Sequence, residues 1–488
     1  MILKIFTLSI LLFTLYWSFA HEKKAQSAIE SFAKLNSMKS ASISFLAVRS
    51  EDQSVIASFD AHRTLVPAST AKLWSTAAAF EILGASYKPK TLVSYSGNIS
   101  KEGVLRGNLI IEGFGDVTLG SAYFVEKENM SDFFQEWITI LKSKNIKSID
   151  GNIITDASAL GYFGVPEGWT WSDMGNYYGA FPSGLSIFDN VLELYYTTSK
   201  NQHGETKITK TNPIIEGFRI ENHVMSAATS SDNAYVFAAP YGTEAFVTGT
   251  LPVNQQDFIV KAAIQNPEDL MAKEFHKALI KAGVEVIGNP LSRKILQDKQ
   301  DTIQLAQLNQ KKTLLFTHYG KELLEVLKII NHRSNNLFAE HLLHWIALEK
   351  EGLKGYHNKG VALLTGFWKS KFDVDNIRLM DGSGLSRSNN VSAKHFISLL
   401  NYMKDNALFE STLPISAQTG TLKNLCTGQP CAGKIRAKSG SINGVRAYAG
   451  YLYKTDGEKI LFAFLVNNYT GNTSDLTTQM EHVMNALL

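Results

Sequence analysis

Only two of the 488 residues are cysteine, Cys426 and Cys431. They allow at most one disulfide within the chain, closing a small loop, with two free thiols as the alternative. A thiolate zinc site is not supported. His341 and His344 lie close together, yet no carboxylate–histidine metal pattern accompanies them, so they read as ordinary helix residues. No metal or organic cofactor is expected. Charge of one sign is also lacking: 48 Lys and Arg face 45 Asp and Glu, a net +3. That balance gives no footing for nucleic-acid binding. Beyond the first twenty residues no segment reads as a membrane span, and no tandem repeat is present. What remains is an ordinary globular composition, 44% hydrophobic and 19% charged, long enough for two or three domains.

The first twenty residues differ in texture. Lys4 gives a short positive start, residues 5–17 are largely apolar, and Ser18-Phe19-Ala20 is a small-x-small site before His21. This pattern predicts a cleavable signal peptide over 1–20, with an uncleaved membrane anchor as the alternative. Export to the periplasm follows from it. No cysteine stands near the cleavage site, so lipid attachment there is not expected.

Residues 41–48 and 54–59 alternate as two strands around a turn at Glu51-Asp52-Gln53. A helix is predicted from about Thr70 to Leu83, stopped by Gly84, with Leu73, Ala77, Phe80 and Leu83 on its buried side. Residues 88–290 read as short strands between glycine-rich turns, with helices near 133–144 and 267–282. Helices return at 321–331 and 337–348. Two strong strands, 445–453 and 459–466, and a final helix over 474–488 close the chain. The pattern predicts an α/β (α+β) catalytic domain over 21–87 and 291–488, interrupted by an inserted strand-rich region, 88–290, of two small domains.

Three short motifs carry chemistry. Ser69 stands three residues before Lys72 at the start of a helix, which puts both on one face. A serine hydroxyl needs a nearby base, and Lys72 can serve if burial or a neighbouring positive charge disfavours its ammonium form. Lys438, in Lys438-Ser439-Gly440, is the candidate source of that charge. In Ser334-Asn335-Asn336 the Ser334 hydroxyl would relay a proton to a leaving amine, and the Asn336 amide would hold a substrate carbonyl. Lys438 and Ser439 suit a terminal carboxylate. The amides of Ser69 and Ser441 are candidates for an oxyanion hole. Two of these patterns recur: Ser31/Lys34 repeats the first, and Ser231-Asp232-Asn233 the second. Their settings, a plain amphipathic segment and a loop in the inserted region, favour Ser69 and Ser334.

The ordered set of a serine three residues before a lysine, Ser-x-Asn and Lys-[Ser/Thr]-Gly resembles penicillin-binding proteins and serine β-lactamases. Over nearly the whole mature chain the sequence resembles the class C low-molecular-mass penicillin-binding proteins, the D-alanyl-D-alanine carboxypeptidase/endopeptidase family. The supporting residues include Asp381-Gly382-Ser383-Gly384-Leu385-Ser386-Arg387, Gly420-Thr421-Leu422 and Arg436-Ala437-Lys438-Ser439-Gly440-Ser441. In the inserted region Gly113-Phe114-Gly115-Asp116-Val117-Thr118-Leu119 and Gly168-Trp169 with Trp171 and Asp173 add to them. The resemblance implies a penicillin-binding transpeptidase-like, β-lactamase-like domain that cleaves D-Ala-D-Ala termini, and cross-links to diaminopimelate, in peptidoglycan. It implies that β-lactam antibiotics acylate Ser69, and that Arg387 and, more weakly, Asp156 contact the stem peptide. Ser439 replaces the family's usual threonine, and Val117 its usual proline. Competing readings are a β-lactamase, which needs fast deacylation, and a non-catalytic peptidoglycan-binding sensor.

Overall fold

The computed structural model describes residues 22–352 and 357–488. The predicted signal peptide lies outside the described residues. Two compact units make up the chain. One joins the described residues up to Ile82 with Leu324–Asn335 and Leu364–Leu488; the other comprises Leu83–Leu323 and Asn336–Leu363.

The first unit is built on a five-stranded antiparallel sheet. Its order is Ile435–Ile442, Val445–Tyr453, Lys459–Asn467, Ser42–Arg49 and Val55–Phe59. The ends of the chain meet at its centre, where Phe45 pairs with Phe464 and Leu46 with Ala463. The central strands are buried almost continuously, as expected for strands covered on both faces. On one face the helix over 22–33 places Ala25, Ile29 and Phe32, and the helix Thr473–Ala486 places Met480, Val483 and Met484, against Phe45, Tyr448 and Phe464. The helix Ala393–Met403 lies along the sheet too, and Tyr451 Oη donates to the Leu400 carbonyl at 3.0 Å. Cys426 and Cys431 form a disulfide beside this core.

Helix Lys72–Leu83 has no exposed polar face over its first two turns; Lys72 through Ala79 are all buried. A helix buried all round belongs in a core. Trp74 anchors it: the ring meets Trp368 edge-on at 5.7 Å, and Trp368 Nε1 donates to the Trp74 carbonyl. The predicted helix start at Thr70 is instead a tight 3₁₀ turn, Ala68–Ala71, and the α-helix begins at Lys72.

Among the described residues the second unit holds four sheets. The largest runs Pro290–Ser292, Ile153–Asp156, Leu109–Gly113, Lys90–Tyr95 and Thr313–Tyr319. Helices Asp132–Ser143 and Pro267–Lys281 pack Phe134, Trp137 and Phe275 into one aromatic cluster. Two three-stranded sheets, centred on Val191–Thr197 and Glu244–Pro252, continue the same core. Helix Asn336–Glu351 belongs here, with Trp345 Nε1 donating to the Gly115 carbonyl at 3.1 Å. His341 is fully buried on that helix, with Nδ1 2.8 Å from the Leu337 carbonyl oxygen, to which it donates, and Nε2 3.3 Å from the Ser186 hydroxyl, from which it accepts. Burial holds its pKa down to about 4, so it is neutral. The architecture is the mixed α/β one expected from the sequence.

Candidate active site

Ser69 occupies the 3₁₀ turn ahead of the buried helix, and the turn is under backbone constraint. Ala68 has φ +46°, a conformation that residues with a Cβ rarely adopt. Two close approaches hold it. Gly384, at φ +78°, lies so near that a Cβ would stand 1.9 Å from the Ala68 carbonyl oxygen. A Cβ on Gly440 would stand 2.6 Å from the Pro67 carbonyl oxygen and 3.1 Å from the Ser69 nitrogen. The glycine of Lys438-Ser439-Gly440 therefore lets the strand Ile435–Ile442 press against the backbone of the Ser69 turn.

Lys72 Nζ is 3.0 Å from Ser69 Oγ and 2.6 Å from the Ser383 carbonyl oxygen. The lysine is fully buried. Ser383 is delivered by a loop that Asp381 organises. The Asp381 carboxylate accepts from the backbone of Gly384 and Ser386, each at 2.7 Å, and from Asn389 Nδ2 at 2.8 Å. One turn further along the helix, Ser75 Oγ donates to the Gly382 carbonyl at 2.7 Å. The Asp381-Gly382-Ser383-Gly384 segment is thus a cradle for the Ser69–Lys72 helix.

Lys438 is equally buried. Its Nζ donates to Ser334 Oγ at 3.0 Å and to the Ser439 carbonyl at 2.8 Å. Burial first, then repulsion from Lys72 and Arg446, holds its pKa well below the ordinary lysine value. Ser334 has φ +57°, another residue with a Cβ held in a constrained conformation. Ser439 Oγ is bonded to Thr421 Oγ1 at 2.8 Å.

Ser69, Lys72, Ser334, Lys438, Ser439 and Ser441 all belong to the first unit, and two chains of hydrogen bonds run through it. One is Ser69–Lys72–Ser383; the other is Ser334–Lys438–Ser439–Thr421. Arg387, exposed in the same unit, donates from Nη2 to the Asn443 carbonyl at 3.0 Å. Asn336 and Asp156 belong to the second unit. Asn336 Nδ2 donates to the Tyr178 carbonyl at 2.8 Å. The Asp156 carboxylate pairs with Arg293 at 3.0 Å and accepts from the Ser158 amide. Of the repeated motifs, Ser31 and Lys34 stand at the end of the first helix, both exposed, and Ser231 is exposed in a loop of the second unit.

Two functional partners escaped motif reading. The Ser383 carbonyl meets Lys72 across 311 residues, and a backbone oxygen carries no side-chain signature. Thr421 is legible only as part of a Gly-Thr-Leu turn. Its hydroxyl reaches Ser439 because Gly420, at φ +56°, turns the chain tightly under His332.

The set can activate a serine hydroxyl with an amine, relay a proton through a second serine, and receive an anion. Among the described residues no group of His, Cys, Asp and Glu is placed to hold a metal ion. Over 454 residues the chain is 27% identical to the D-alanyl-D-alanine carboxypeptidase DacB of Haemophilus influenzae, covering 90% of this chain and 87% of that one. It is 28% identical over 428 residues to a D-alanyl-D-alanine carboxypeptidase of Actinomadura sp., covering 84% and 75%. The crystal structure of penicillin binding protein 4 from Haemophilus influenzae superposes with a TM-score of 0.77 at 25% identity, over 91% of this chain and 96% of that one. A complex of that protein with a β-lactam superposes with a TM-score of 0.72. With residues 25–487 matching its pattern, the chain belongs to the D-Ala-D-Ala carboxypeptidase 3 (S13) family.

Proposed function

We propose that this serine-type D-Ala-D-Ala carboxypeptidase works through an acyl-enzyme on Ser69, with Lys72 as its base. The observation that carries the reading is the 3.0 Å contact between Ser69 Oγ and Lys72 Nζ, in a unit where both Lys72 and Lys438 are fully buried. Lys72 in its neutral form takes the hydroxyl proton as Oγ attacks the carbonyl carbon of the penultimate D-alanine. The oxyanion that forms is met by the amides of Ser69 and Ser441. As the C–N bond breaks, Ser334 passes a proton to the departing amine and is replenished by Lys438, to which it is already bonded, and the proton that Lys72 took from Ser69 makes good the loss at Lys438. Water then attacks the ester carbonyl, neutral Lys72 taking its proton and returning it to Ser69 Oγ as the ester C–O bond breaks. The terminal carboxylate is received by Lys438 and Ser439, and Asn336 holds a carbonyl of the substrate.

Arg387 is assigned to the stem peptide. Asp156 offers a second stem contact as a pair with Arg293 rather than as a lone carboxylate. Cross-links between D-alanine and diaminopimelate present the same D-amide to Ser69, so endopeptidase action is part of the reading. A β-lactam presents a strained amide to the same hydroxyl, and acylation of Ser69 accounts for penicillin binding. Residues 1–20 act as a cleavable signal that places the enzyme in the periplasm; among the described residues no helix is long and apolar enough to cross a membrane.

The test is incubation with a disaccharide-pentapeptide and with its cross-linked dimer, followed by mass analysis, beside labelling with a fluorescent penicillin. The expected result is release of one D-alanine from the monomer, opening of the dimer, and loss of labelling in Ser69→Ala. Undiminished labelling of that variant, or an intact pentapeptide after prolonged incubation, overturns the assignment. Rapid turnover of the penicillin adduct would favour a β-lactamase instead.

A further inference from the structure

The hydroxyl of Ser439 has a partner that takes no part in the acyl transfer itself. Ser439 Oγ donates to Thr421 Oγ1 at 2.8 Å, across 18 positions of the chain. The backbone of Ser439 is fixed twice. It stands opposite Tyr448 in the strand pair, and its carbonyl accepts from Lys438 Nζ at 2.8 Å. What the backbone leaves open is rotation about χ1. A threonine at this position would restrict that rotation through its second Cβ substituent, whereas a serine has every staggered position open to it. The bond to Thr421 selects one of them.

Thr421 is exposed, yet its backbone is held. It sits in the tight turn Gly420–Leu422, between a glycine whose Cβ would stand 2.8 Å from the His332 carbonyl oxygen and a fully buried leucine. Further along the segment, the disulfide Cys426–Cys431 is pinned to the helix Thr473–Ala486. The Cys426 amide donates to Glu481 Oε1 at 2.7 Å, and the Cys431 amide to Asn485 Oδ1 at 2.9 Å. Ser416 Oγ then donates to the Cys431 carbonyl at 2.8 Å and accepts from the Ile435 amide at 3.1 Å, at the first residue of the strand that carries Ser439. Both ends of the segment 421–439 are therefore anchored, and the two hydroxyls meet with little conformational freedom left to lose.

A carboxylate only accepts hydrogen bonds. To bind one, Ser439 must turn its proton away from Thr421 and toward the anion. The contact with Thr421 would then set the lone pairs of two oxygens against each other, unless Thr421 turns its own proton round to Ser439 Oγ. A threonine hydroxyl does this by rotating about its Cβ–Oγ1 bond, and each oxygen keeps its own proton. Accepting from Thr421 also strengthens the bond that Ser439 gives. We infer that Thr421 is a positioning residue of the carboxylate site: it holds Ser439 in one rotamer and reverses their shared hydrogen bond when the terminal carboxylate of the substrate arrives. The inference rests on the peptidase reading above, in which Ser439 receives that carboxylate.

The test uses the full mature protein and a short soluble peptide ending in D-Ala-D-Ala, with D-alanine release followed over a range of concentrations. In Thr421→Val, which keeps the shape and removes the hydroxyl, kcat/KM should fall about tenfold, nearly all of it through KM, because the carboxylate is held alike before and during the reaction. Thr421→Ser restores a hydroxyl and should stay within about threefold of wild type. In a Ser439→Ala background the valine substitution should add less than about twofold, since its route of action is gone. Wild-type kinetics in Thr421→Val, a loss confined to kcat, or a loss of the same size in the Ser439→Ala background overturns the inference and leaves the peptidase reading untouched. Absence of D-alanine release by the wild type would instead strike the peptidase reading. Acylation by a penicillin, which carries its own carboxylate, then decides the role of Thr421: about tenfold slower acylation in Thr421→Val at subsaturating penicillin supports it, and an unchanged rate overturns it.

Discussion

Two buried amino groups, Lys72 against Ser69 and Lys438 against Ser334, are expensive to assemble, and the small residues nearby show how the chain manages it. Gly440 is the clearest case. Its missing side chain lets the strand come within contact of Pro67 and Ser69, so the ammonium of Lys438 and the hydroxyl of Ser69 belong to one rigid frame. Gly440→Ala should force the strand and the turn apart by several tenths of an ångström. A misplacement of about 1 Å can lower rates by ~10²-fold, so a shift of this smaller size should lower acylation by about tenfold, and overpacking costs about 1–3 kcal/mol. The second-order rate constant for acylation by a fluorescent penicillin, read beside a urea melt, checks both numbers. Wild-type acylation in the alanine variant would show that the close approach has no catalytic role. Ser439, by contrast, has a hydroxyl partner in Thr421 rather than a tight steric wall. Ser439→Thr keeps that hydroxyl and should hold acylation within about threefold of wild type, on the scale of one added methyl group.

Helices and strands were legible where one face is buried and the period is clean. The strands expected over 445–453 and 459–466 stand at Val445–Tyr453 and Lys459–Asn467, and the helix expected over 267–282 at Pro267–Lys281. The strand Thr313–Tyr319 was not visible. It is an edge strand, mostly half-exposed, and its pairing with Lys90–Tyr95 joins segments far apart in sequence. The loop 381–386 was legible as a family motif but not as a support for Lys72, because the contact uses backbone oxygen. Glycines divide in the same way. Gly440 and Gly384 are demanded by close approach, whereas Gly366 sits inside the helix His357–Lys369 with no atom within 4 Å of the place a Cβ would occupy. Helix propensity then decides, and Gly366→Ala should raise stability by about 0.5–1 kcal/mol with penicillin acylation unchanged. A fall in the urea midpoint would mean that this helix needs glycine for a reason its surroundings do not show.

At the scale of the molecule, the two units carry buried ionisable groups of opposite kind, and their stabilities should respond oppositely to pH. In the catalytic unit Lys438 titrates well below the ordinary lysine value when folded. Between that point and about pH 10.4, its unfolded value, the unfolded chain binds more protons, so stability rises with pH. In the second unit Glu268 is wholly buried, bonded to the Ala157 amide and to Tyr162 Oη, and burial with help from Asp156 pushes its pKa up to about 8. From the unfolded carboxylate value near 4.5 up to about 8 the folded form binds more protons, so stability falls as pH rises through that window. Asp189, in the same unit and raised to about 6 chiefly by burial, acts in the same direction over a narrower range. Each full proton difference is worth at most about 1.4 kcal/mol per pH unit. Hydrogen exchange resolved by peptide at about pH 5.5, about pH 8 and about pH 9.5, corrected for intrinsic rates, separates the two. Protection should increase as pH approaches the unfolded lysine value in Ile435–Ile442 and Val445–Tyr453, and decrease from about pH 5.5 to about pH 8 in Ile153–Asp156 and Pro267–Lys281. Glu268→Gln should flatten the second trend and spare the first, and Lys438→Met should do the reverse while abolishing acylation. Parallel trends in both units, unaltered by either substitution, would mean that these two buried groups do not govern the pH response.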